Sequence, residues 1–428
     1  MMMNIDDANC SIQIVDEHKG RGLVASCALK VDDVIFEESP LVCAQFLWNE
    51  FYHYVACEFC MQSMESAVEM ARRLSGDAAL ILPHQECCTV KKQSHVECPQ
   101  CRAPYCSTEC RDHALAQYHQ VLCPGQHPPD PDHPLFILQE AWKTMHYPPE
   151  TASIMLIAKM IATIKQAKCK EEVTATFQQF CHAPRNEERE LSHKLLGKQF
   201  KGQFETLQSI LLNALYEETV SQWFTTDGLE SLFALIGMNG QGVGSSSLSV
   251  YVHNCDAVDL PEEERGKLDQ FIDQLYVAME KESGSFLNCE GSALYRLQSC
   301  CNHSCTPNAE IRFLHNNSTL SLVAVADIAE GEEILISYLD ECSRERSRHS
   351  RQKELRENYL FTCNCSKCLQ QCDDPDITSS EEEDDDDDDD DDDGDDGEDD
   401  GGQEKDEGDE RLGDNVGIDT MDWKEGRT

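Results

Sequence analysis

The chain has 428 residues, of which 40% are hydrophobic, and this allows about two or three domains with sizeable cores. Its formal net charge is −46, and the 56 residues from Asp373 onward hold 30 of the 81 acidic residues. The remaining body still has 51 acidic against 31 basic residues, which argues against binding to the phosphate backbone of nucleic acids and favours basic protein partners.

The N-terminal residues MMMNIDDANC are acidic and lack the apolar stretch of a secretion signal, and no apolar run reaches the roughly 18 residues of a membrane span. We therefore expect a soluble protein of the cytoplasm and nucleus. The chain contains 24 cysteines. Because thiols stay reduced in those compartments, zinc thiolates are a better hypothesis than disulfides.

The order of predicted elements indicates an α+β protein. Short strands are predicted within residues 12–47, where β-branched and aromatic residues are punctuated by Gly and Asp. Cys and His are frequent in residues 57–123, and apolar residues then recur at helical spacing over roughly 135–283. Strands return within 309–339. A basic helical stretch, a second Cys group and the acidic tail follow, and the tail cannot bury enough apolar surface to fold.

The first Cys-rich region contains eight residues at spacings typical of zinc ligands, as two CxxC pairs, one CxxxC pair and one HxxxC pair: Cys57, Cys60, Cys98, Cys101, Cys106, Cys110, His119 and Cys123. They would fill two tetrahedral sites, and sites closed by four protein ligands are structural rather than catalytic. Between the first two pairs lies an insert of 37 residues, 61–97, with further candidates at His84, Cys87, Cys88 and His95. Cys87 or Cys88 could replace a ligand of the first site.

The second Cys group, CNCSKC, offers three thiolates, Cys363, Cys365 and Cys368. Three thiolates do not close a tetrahedral structural site, so a fourth ligand must come from elsewhere. Cys372 is the local candidate and Cys305 the distant one, and we predict Cys305. Apparent zinc-binding energies of roughly 10–16 kcal/mol are as large as the stability of a whole domain, so this ion would decide whether the segment folds.

Several motifs together resemble the SMYD family, protein-lysine methyltransferases that combine a SET and a MYND domain. KGRGL at residues 19–23 resembles the N-terminal SET turn, and NHSCTPN at 302–308 matches the SET motif NHSCxPN. GEE at 331–333 followed by ISY at 336–338 matches a further SET motif, and residues 359–368 match the post-SET segment. The resemblance covers about residues 12–370. It also implies that the finger pairs are interleaved, with the first and third pairs on one zinc and the second and fourth on the other.

The resemblance implies a β-rich SET domain that is split by a MYND-like finger and a helical insert. The chain carries an acidic tail instead of the usual helical C-terminal domain, so it resembles a divergent member of the family. We assign the following ranges: 1–56 N-terminal SET part; 57–123 MYND-like finger with insert 61–97; 124–290 helical insert; 291–342 C-terminal SET core; 343–372 post-SET zinc segment; 373–428 disordered acidic tail.

The resemblance also implies S-adenosylmethionine as methyl donor, a protein lysine as acceptor and about three structural zinc ions. Tyr338 is then the catalytic tyrosine and contacts the cofactor. The other implied roles are these: Asn302 and His303 hold the cofactor, Lys19, Gly20 and Arg21 cradle its methionine end, Phe361 packs on its adenine, Tyr359 lines the lysine channel, and Asn239 is a weaker cofactor contact.

Three stretches have more than one interpretation. The glycine-rich run GMNGQGVGSSS at residues 237–247 lacks the GK[ST] end of a phosphate-binding loop, so we predict a mobile loop. The run RERSRHSR at 344–351 could be a nuclear-import or nucleic-acid patch, but we favour a solvated helix face that pairs with acidic neighbours. The tail is either a solubilising appendage or a docking or autoinhibitory arm that competes for basic substrates.

The sequence therefore supports two functions. The first is methylation of lysines on histone tails or on basic non-histone proteins such as ribosomal proteins. The alternative is an adaptor that binds basic partners through its MYND-like fingers and acidic tail. The acidic body disfavours a DNA-binding zinc finger. We expect a monomer that binds no membrane and makes no direct contact with nucleic acid.

Overall fold

The computed structural model describes residues 9–16, 19–145, 153–182, 198–284 and 287–375, with the backbone alone for 198–202. These residues belong to one compact unit within residues 1–378. Of the tail that we predict to be disordered, residues 376–428 lie outside the described residues. In the part of the chain that the structure describes, no helix is both long and apolar enough to cross a membrane.

The described residues contain twelve strands: β1 Cys10–Asp16, β2 Gly20–Ala25, β3 Val34–Glu38, β4 Val42–Gln45, β5 Val96–Glu97, β6 Pro104–Tyr105, β7 Gln241–Ser245, β8 Cys289–Leu294, β9 Asn302–His303, β10 Ala309–Arg312, β11 Leu320–Ala324 and β12 Glu333–Ile336. They form four small sheets, with strand orders β1-β2-β12-β9, β10-β11-β3, β4-β8-β7 and β5-β6. The pairing is antiparallel except between β12 and β9, which run parallel. Chain segments about three hundred residues apart in sequence therefore lie side by side.

Between and after these strands, the described helices are α1 Ala67–Ser75, α2 Thr108–Ala114, α3 Gln120–Leu122, α4 Pro134–Met145, α5 Ile154–Gln166, α6 Lys170–Phe177, α7 Lys198–Leu215, α8 Thr226–Asn239, α9 Ser247–Asp256, α10 Glu262–Ser283, α11 Glu341–Glu345, α12 Arg348–Tyr359 and α13 Ser366–Gln370. Local sequence accounts for several ends. Ser66 and Glu69 form a capping box at the start of α1, and Gly76 ends that helix in the left-handed conformation. This confirms the predicted α+β fold with a helical block between two groups of strands.

Two large cores support the site. The first is helical and is built around α5, which buries apolar residues on most of its surface, and it extends to the finger residues Cys57 and Cys98. The second joins the strands of the SET region around Leu23, Leu322 and Ile334. A smaller core packs α1 from the finger insert against α9 and α10. The insert is therefore an integral part of the fold.

The glycine-rich run at 237–247 is not a mobile loop, so that prediction is wrong. Its residues end α8 at Asn239, form β7 and begin α9 at Ser247. Gly242 and Gly244 lie on β7, which pairs with β8 at the edge of a sheet although glycine weakens a strand. A distant partner strand, which local sequence does not reveal, decides the conformation.

A buried ion pair joins the finger to the helical block. Lys159 on α5 is 2% exposed, and its Nζ lies 2.7 Å from Glu58 Oε1. The same ammonium donates to the Glu58 carbonyl oxygen at 2.8 Å and lies 4.9 Å from the centroid of the Tyr118 ring. Because Glu58 stands between Cys57 and Cys60, this pair fixes the first ligand pair against the helical core.

We expect Glu58→Ala to lower the free energy of unfolding by about 3 kcal/mol, because it leaves the Lys159 ammonium buried without its carboxylate. Urea unfolding in zinc-containing buffer measures the loss. The matched control is Glu97→Ala, which removes an exposed carboxylate of the same finger that pairs with exposed Arg102 and should change stability by less than about 0.5 kcal/mol. Equal losses in the two variants would contradict the role of the buried pair.

Candidate active site and metal centres

A cavity of about 950 Å³ opens where the sheet β1-β2-β12-β9 meets the end of α8 and the segment after α12. Its lining includes most of the residues predicted for cofactor and substrate: Lys19, Arg21, Asn239, Asn302, His303, Tyr338, Tyr359 and Phe361. Residues predicted from separate motifs are therefore brought to one place. The remaining predicted residue, Gly20, lies between Lys19 and Arg21.

A glycine and one carboxylate fix the backbone where β2 begins. Gly20 has a φ of +68°, a left-handed conformation that glycine adopts without strain. The Asp16 carboxylate accepts the Lys19 backbone N–H at 2.6 Å, and Arg21 donates to the Gln179 carbonyl oxygen. Lys19 and Arg21 are thereby held on either side of this glycine at the edge of the cavity.

Glu333 on β12 ties the turn to the NHSC segment, residues 302–305. Its Oε2 lies 2.6 Å from the Lys19 ammonium, and its Oε1 accepts a hydrogen bond from Asn302 Nδ2 at 2.9 Å. Asn302 Nδ2 also donates to the Arg21 carbonyl oxygen at 3.1 Å. Both hydrogens of this amide are thus bound by the protein, so the side chain positions the site rather than donating to a ligand. The sequence motif drew attention to Glu333 but did not indicate this role.

Gly22 is required at the same point because the backbone passes very close to its neighbours. A Cβ at this position would lie 2.5 Å from Val15 Cγ2, 2.9 Å from Asn302 Nδ2 and 3.0 Å from Glu333 Oε1. Real Cβ atoms do not make contacts shorter than 3.0 Å, so a side chain here would displace the side chains of Val15 and Asn302.

The His303 ring is buried and makes both of its hydrogen bonds within the protein. Its Nδ1 accepts the Tyr338 backbone N–H at 2.9 Å, and its Nε2 lies 3.4 Å from Cys305 Sγ. Burial lowers the pKa of His303 to about 4, so the ring is neutral near pH 7 and carries its proton on Nε2. His303 therefore links Tyr338 to Cys305, and any contact with a ligand would use its backbone.

Tyr338 lies in a group of aromatic rings. Its ring centroid is 4.8 Å from that of Tyr359, 5.3 Å from that of His303 and 6.1 Å from that of Phe361. Leu360 stands between Tyr359 and Phe361 and has a φ of +62°. This left-handed residue ends α12, and the rings of Tyr359 and Phe361 on either side of it both lie near Tyr338. Tilted and edge-on rings at these distances form a narrow, largely apolar wall.

The Tyr338 hydroxyl donates to the Cys301 carbonyl oxygen at 2.7 Å. Desolvation raises the pKa of Tyr338 well above its usual value and the pKa of Tyr359 to about 12. Both phenols are therefore protonated near pH 7. They can orient a partner or stabilise charge by hydrogen bonding, but they do not act as bases.

Asn239, the weaker candidate, lines the cavity at the end of α8. Its Nδ2 donates to the Cys181 carbonyl oxygen at 2.7 Å and to the Leu235 carbonyl oxygen at 2.8 Å. Its amide hydrogens thus connect α8 to the segment after α6. Only its oxygen is in a position to accept from a ligand.

The predicted zinc ligands form three groups: Cys57, Cys60, Cys106 and Cys110; Cys98, Cys101, His119 and Cys123; Cys305, Cys363, Cys365 and Cys368. Within each group the four donor atoms lie within 4.8 Å of one another. Sulfurs about 2.3 Å from a tetrahedral zinc would lie about 3.8 Å apart. The pairs Cys60–Cys106 at 3.7 Å, Cys98–Cys123 at 3.9 Å and Cys305–Cys368 at 3.6 Å agree with that spacing. The residues present therefore fit zinc.

The grouping of these residues follows the interleaved scheme, and it decides between the open alternatives. Cys372 is exposed and is not part of the third group, which takes Cys305 as its fourth member. Cys87 and Cys88 are not part of the first group but pack in the core of α1, α9 and α10. The possibility that either replaces a ligand of the first site is therefore wrong.

The third group has a buried cation beside it that sequence reasoning missed. Arg351 on α12 is 1% exposed, and it donates to Cys368 Sγ at 3.6 Å, to Gln371 Oε1 at 2.7 Å and to the Arg346 carbonyl oxygen. None of these partners is a carboxylate. A zinc ion with four thiolates has a formal charge of −2, which would supply the counter-charge that a buried guanidinium needs.

The run at 344–351 is therefore not simply a solvated face that pairs with acidic residues. Arg351 is inside the protein, and Arg348 donates to the Cys368 carbonyl oxygen at 3.0 Å. The two arginines attach α12 to the Cys group of the post-SET segment.

The comparisons with known proteins agree with this site. The family model "SET domain" matches residues 20–339. The match contains strands β2, β9 and β12, the NHSC segment and Tyr338, whereas β1 precedes it. The fold and the cavity thus define a SET-domain protein.

Individual relatives narrow this class. The chain is 59% identical over 367 residues to "Protein-lysine N-trimethyltransferase SMYD5" of Gallus gallus, with 86% of this chain and 87% of the relative covered. It is 58% identical over 368 residues to the protein of that name from Homo sapiens, with 86% and 88% covered. "Histone-lysine N-methyltransferase SMYD3" of Homo sapiens is 44% identical over 87 residues, which cover 20% of this chain and 19% of that protein. The chain therefore belongs to the SMYD family of protein-lysine methyltransferases and resembles SMYD5.

We expect Gly22→Ala to weaken S-adenosylmethionine binding by about tenfold, since relieving the contact with Asn302 Nδ2 moves this amide away from the Arg21 carbonyl oxygen and Glu333. Isothermal titration calorimetry of the purified chain measures this. Gly266→Ala is the control, because a Cβ on that residue of α10 would meet nothing within 4 Å. Unchanged affinity in the Gly22 variant would show that the close approach at Gly22 does not matter for the cavity.

We expect the wild-type chain to contain three zinc ions, one for each group of ligands. Cys305→Ser should contain two, because three thiolates do not close the third site. Cys372→Ser should keep all three. Elemental analysis by mass spectrometry gives the counts, and loss of an ion in Cys372→Ser but not in Cys305→Ser would reverse the assignment.

Proposed function

We propose that this chain transfers methyl groups from S-adenosylmethionine to lysine side chains of basic proteins. The observation that supports this most directly is that residues of the turn 19–21, the NHSC segment and the rings around Tyr338 line the same cavity. The SMYD5 relatives are named N-trimethyltransferases, and we extend trimethylation to this chain.

The turn 19–21 and the NHSC segment would hold the cofactor, mainly through backbone groups. The side chains of Asn302 and His303 are bound within the protein and keep these backbone groups in place. Phe361 would pack on the adenine, and Asn239 could accept through its oxygen. When bound, S-adenosylmethionine supplies a methyl group on a positively charged sulfur.

The aromatic wall would prepare the acceptor lysine. An amine with a pKa near 10.4 costs about 4–5 kcal/mol to deprotonate at pH 7. A channel lined by Tyr338 and Tyr359 excludes water and disfavours the charged amine, which lowers that cost. The proton that the amine loses passes to solvent. The channel then holds the neutral amine in line with the methyl group that it attacks, and this alignment can lower the activation barrier by roughly 7–11 kcal/mol.

The charge of the protein supports a basic substrate. The body without its tail has a large excess of acidic residues, and Asp16, Glu332 and Asp340 line the cavity. Backbone and hydroxyl hydrogen bonds from Ser343 lower the pKa of Asp340, so this carboxylate is charged near pH 7. Lys- and Arg-rich segments, such as histone tails or ribosomal proteins, are therefore the substrates we propose, in the cytoplasm and nucleus.

The zinc groups would have structural roles, since each has four protein ligands and no open position. The third group would fix Tyr359 and Phe361 over the cavity, because Cys363 comes only two residues after Phe361. An adaptor function through the fingers and the tail remains the alternative, in which the cavity would not turn over substrate.

The test is transfer of tritium from labelled S-adenosylmethionine to histones and ribosomal proteins. We expect Tyr338→Phe to lower the rate about 100-fold or more, because it removes a fixed hydroxyl from the reaction centre. Tyr295→Phe is the matched control: Tyr295 is buried, its hydroxyl bonds the Ser318 carbonyl oxygen at 2.6 Å, and it should retain activity.

A wild-type protein that neither binds the cofactor nor transfers label would favour the adaptor function. Equal rates for wild type and Tyr338→Phe would remove Tyr338 from the mechanism while leaving the activity in place.

A further inference from the structure

One buried carboxylate, Glu38, sits at the end of β3 and is 7% exposed. It accepts hydrogen bonds from three consecutive backbone N–H groups. Arg296 N donates to Oε1 at 2.7 Å, Leu297 N lies 3.0 Å from Oε1 and 3.1 Å from Oε2, and Gln298 N donates to Oε2 at 3.1 Å. A carboxylate that is distant in sequence therefore fixes the turn at residues 296–298.

Burying the charged carboxylate of Glu38 opposes folding, because the charge loses its hydration. Burial raises the pKa of Glu38, whereas the backbone hydrogen bonds from Leu297, Gln298 and Arg296 favour its charged form. Without Glu38, three backbone donors in a buried turn would lose their common acceptor. The buried carboxylate of Glu38 thus serves to hold the backbone of residues 296–298 in place.

The turn at 296–298 leads directly into the cavity. A short 3-10 helix, Gln298–Cys300, follows it, and the next residue, Cys301, provides the carbonyl oxygen that accepts the Tyr338 hydroxyl. Asn302 and His303 come directly after. Gln298 itself lines the cavity, and its Nε2 donates to Gln241 Oε1 at 3.2 Å. The position of the turn sets the position of both the tyrosine acceptor and the NHSC segment.

We propose that Glu38 is a positioning residue for the methyl-donor site: it holds the turn at 296–298 and thereby places the Cys301 carbonyl oxygen and the NHSC segment. This rests on the proposed function. Glu38 does not line the cavity and acts through the backbone of the turn.

The variant is Glu38→Gln, which keeps the shape but replaces one acceptor oxygen by an N–H donor facing backbone donors. We expect the amides of residues 296–298 to exchange hydrogen at least tenfold faster, measured by hydrogen exchange and mass spectrometry. We also expect about tenfold weaker binding of S-adenosylmethionine by calorimetry, as for loss of a hydrogen bond to a charged group. Glu38→Asp keeps the charge and should restore part of both effects.

Two controls separate positioning from general destabilisation. Glu37→Gln changes the neighbouring carboxylate, which faces His315 and Ser321 on the outer side of the strand, and should leave exchange and affinity unchanged. Ile35→Ala makes a cavity in the same strand and should lower the melting temperature with nearly wild-type affinity.

Unchanged amide exchange at 296–298 in Glu38→Gln would overturn the proposal, as would an equal loss of affinity in Ile35→Ala. A wild-type chain that binds no S-adenosylmethionine would contradict the proposed function. The exchange measurement would still decide whether Glu38 holds the turn.

Discussion

The site depends on the two-residue parallel pairing of β9 with β12. Asn302 and His303 face Leu335 and Ile336 across this pair, and the chain then continues from β12 to Tyr338. Asn308 extends the pairing with its side chain: Nδ2 donates to the Glu333 carbonyl oxygen at 2.9 Å, and Oδ1 accepts the Leu335 N–H at 2.8 Å. The Asn308 side chain thus adds two hydrogen bonds to β12 where the backbone pairing, only two residues long, is too short to be stable by itself.

The post-SET segment that follows has few apolar residues of its own, so polar interactions contribute much of its stability. The core around the post-SET segment is small, with Leu339 and Leu355 packed among Cys305, Cys363 and Cys368. Such a core supplies little stability by burial, and segments of this kind depend on a metal or another cross-link. His303 connects the two systems, since one ring nitrogen bonds the backbone of Tyr338 and the other faces Cys305. Through this one ring, the third group of cysteines is connected to the aromatic wall of the cavity.

The sequence predicted those features whose residues are close together in the chain and have a recognisable spacing. The zinc pairs, the NHSC segment and the strands on either side of the helical block are examples, because ligand chemistry and strand patterns act over a few residues. It did not predict β7, whose glycines are poor strand formers and which forms only because β8 lies beside it. It also missed Arg351 and Glu38. A charged residue is by default expected at the surface, and only the packing of distant segments shows which one is enclosed and what balances it.

The finger insert has a further consequence for how such a chain can have changed during evolution. Residues 61–97 form a loop whose two ends are fixed by the ligand pairs of two different metal groups. Each doubling of the length of such a closed segment costs only about 0.6 kcal/mol in closure entropy, because that cost grows with the logarithm of length. This is small beside the roughly 10–16 kcal/mol of a zinc site. A finger held by two such sites therefore tolerates a long insert at little cost, and here α1 of the insert packs against α9 and α10.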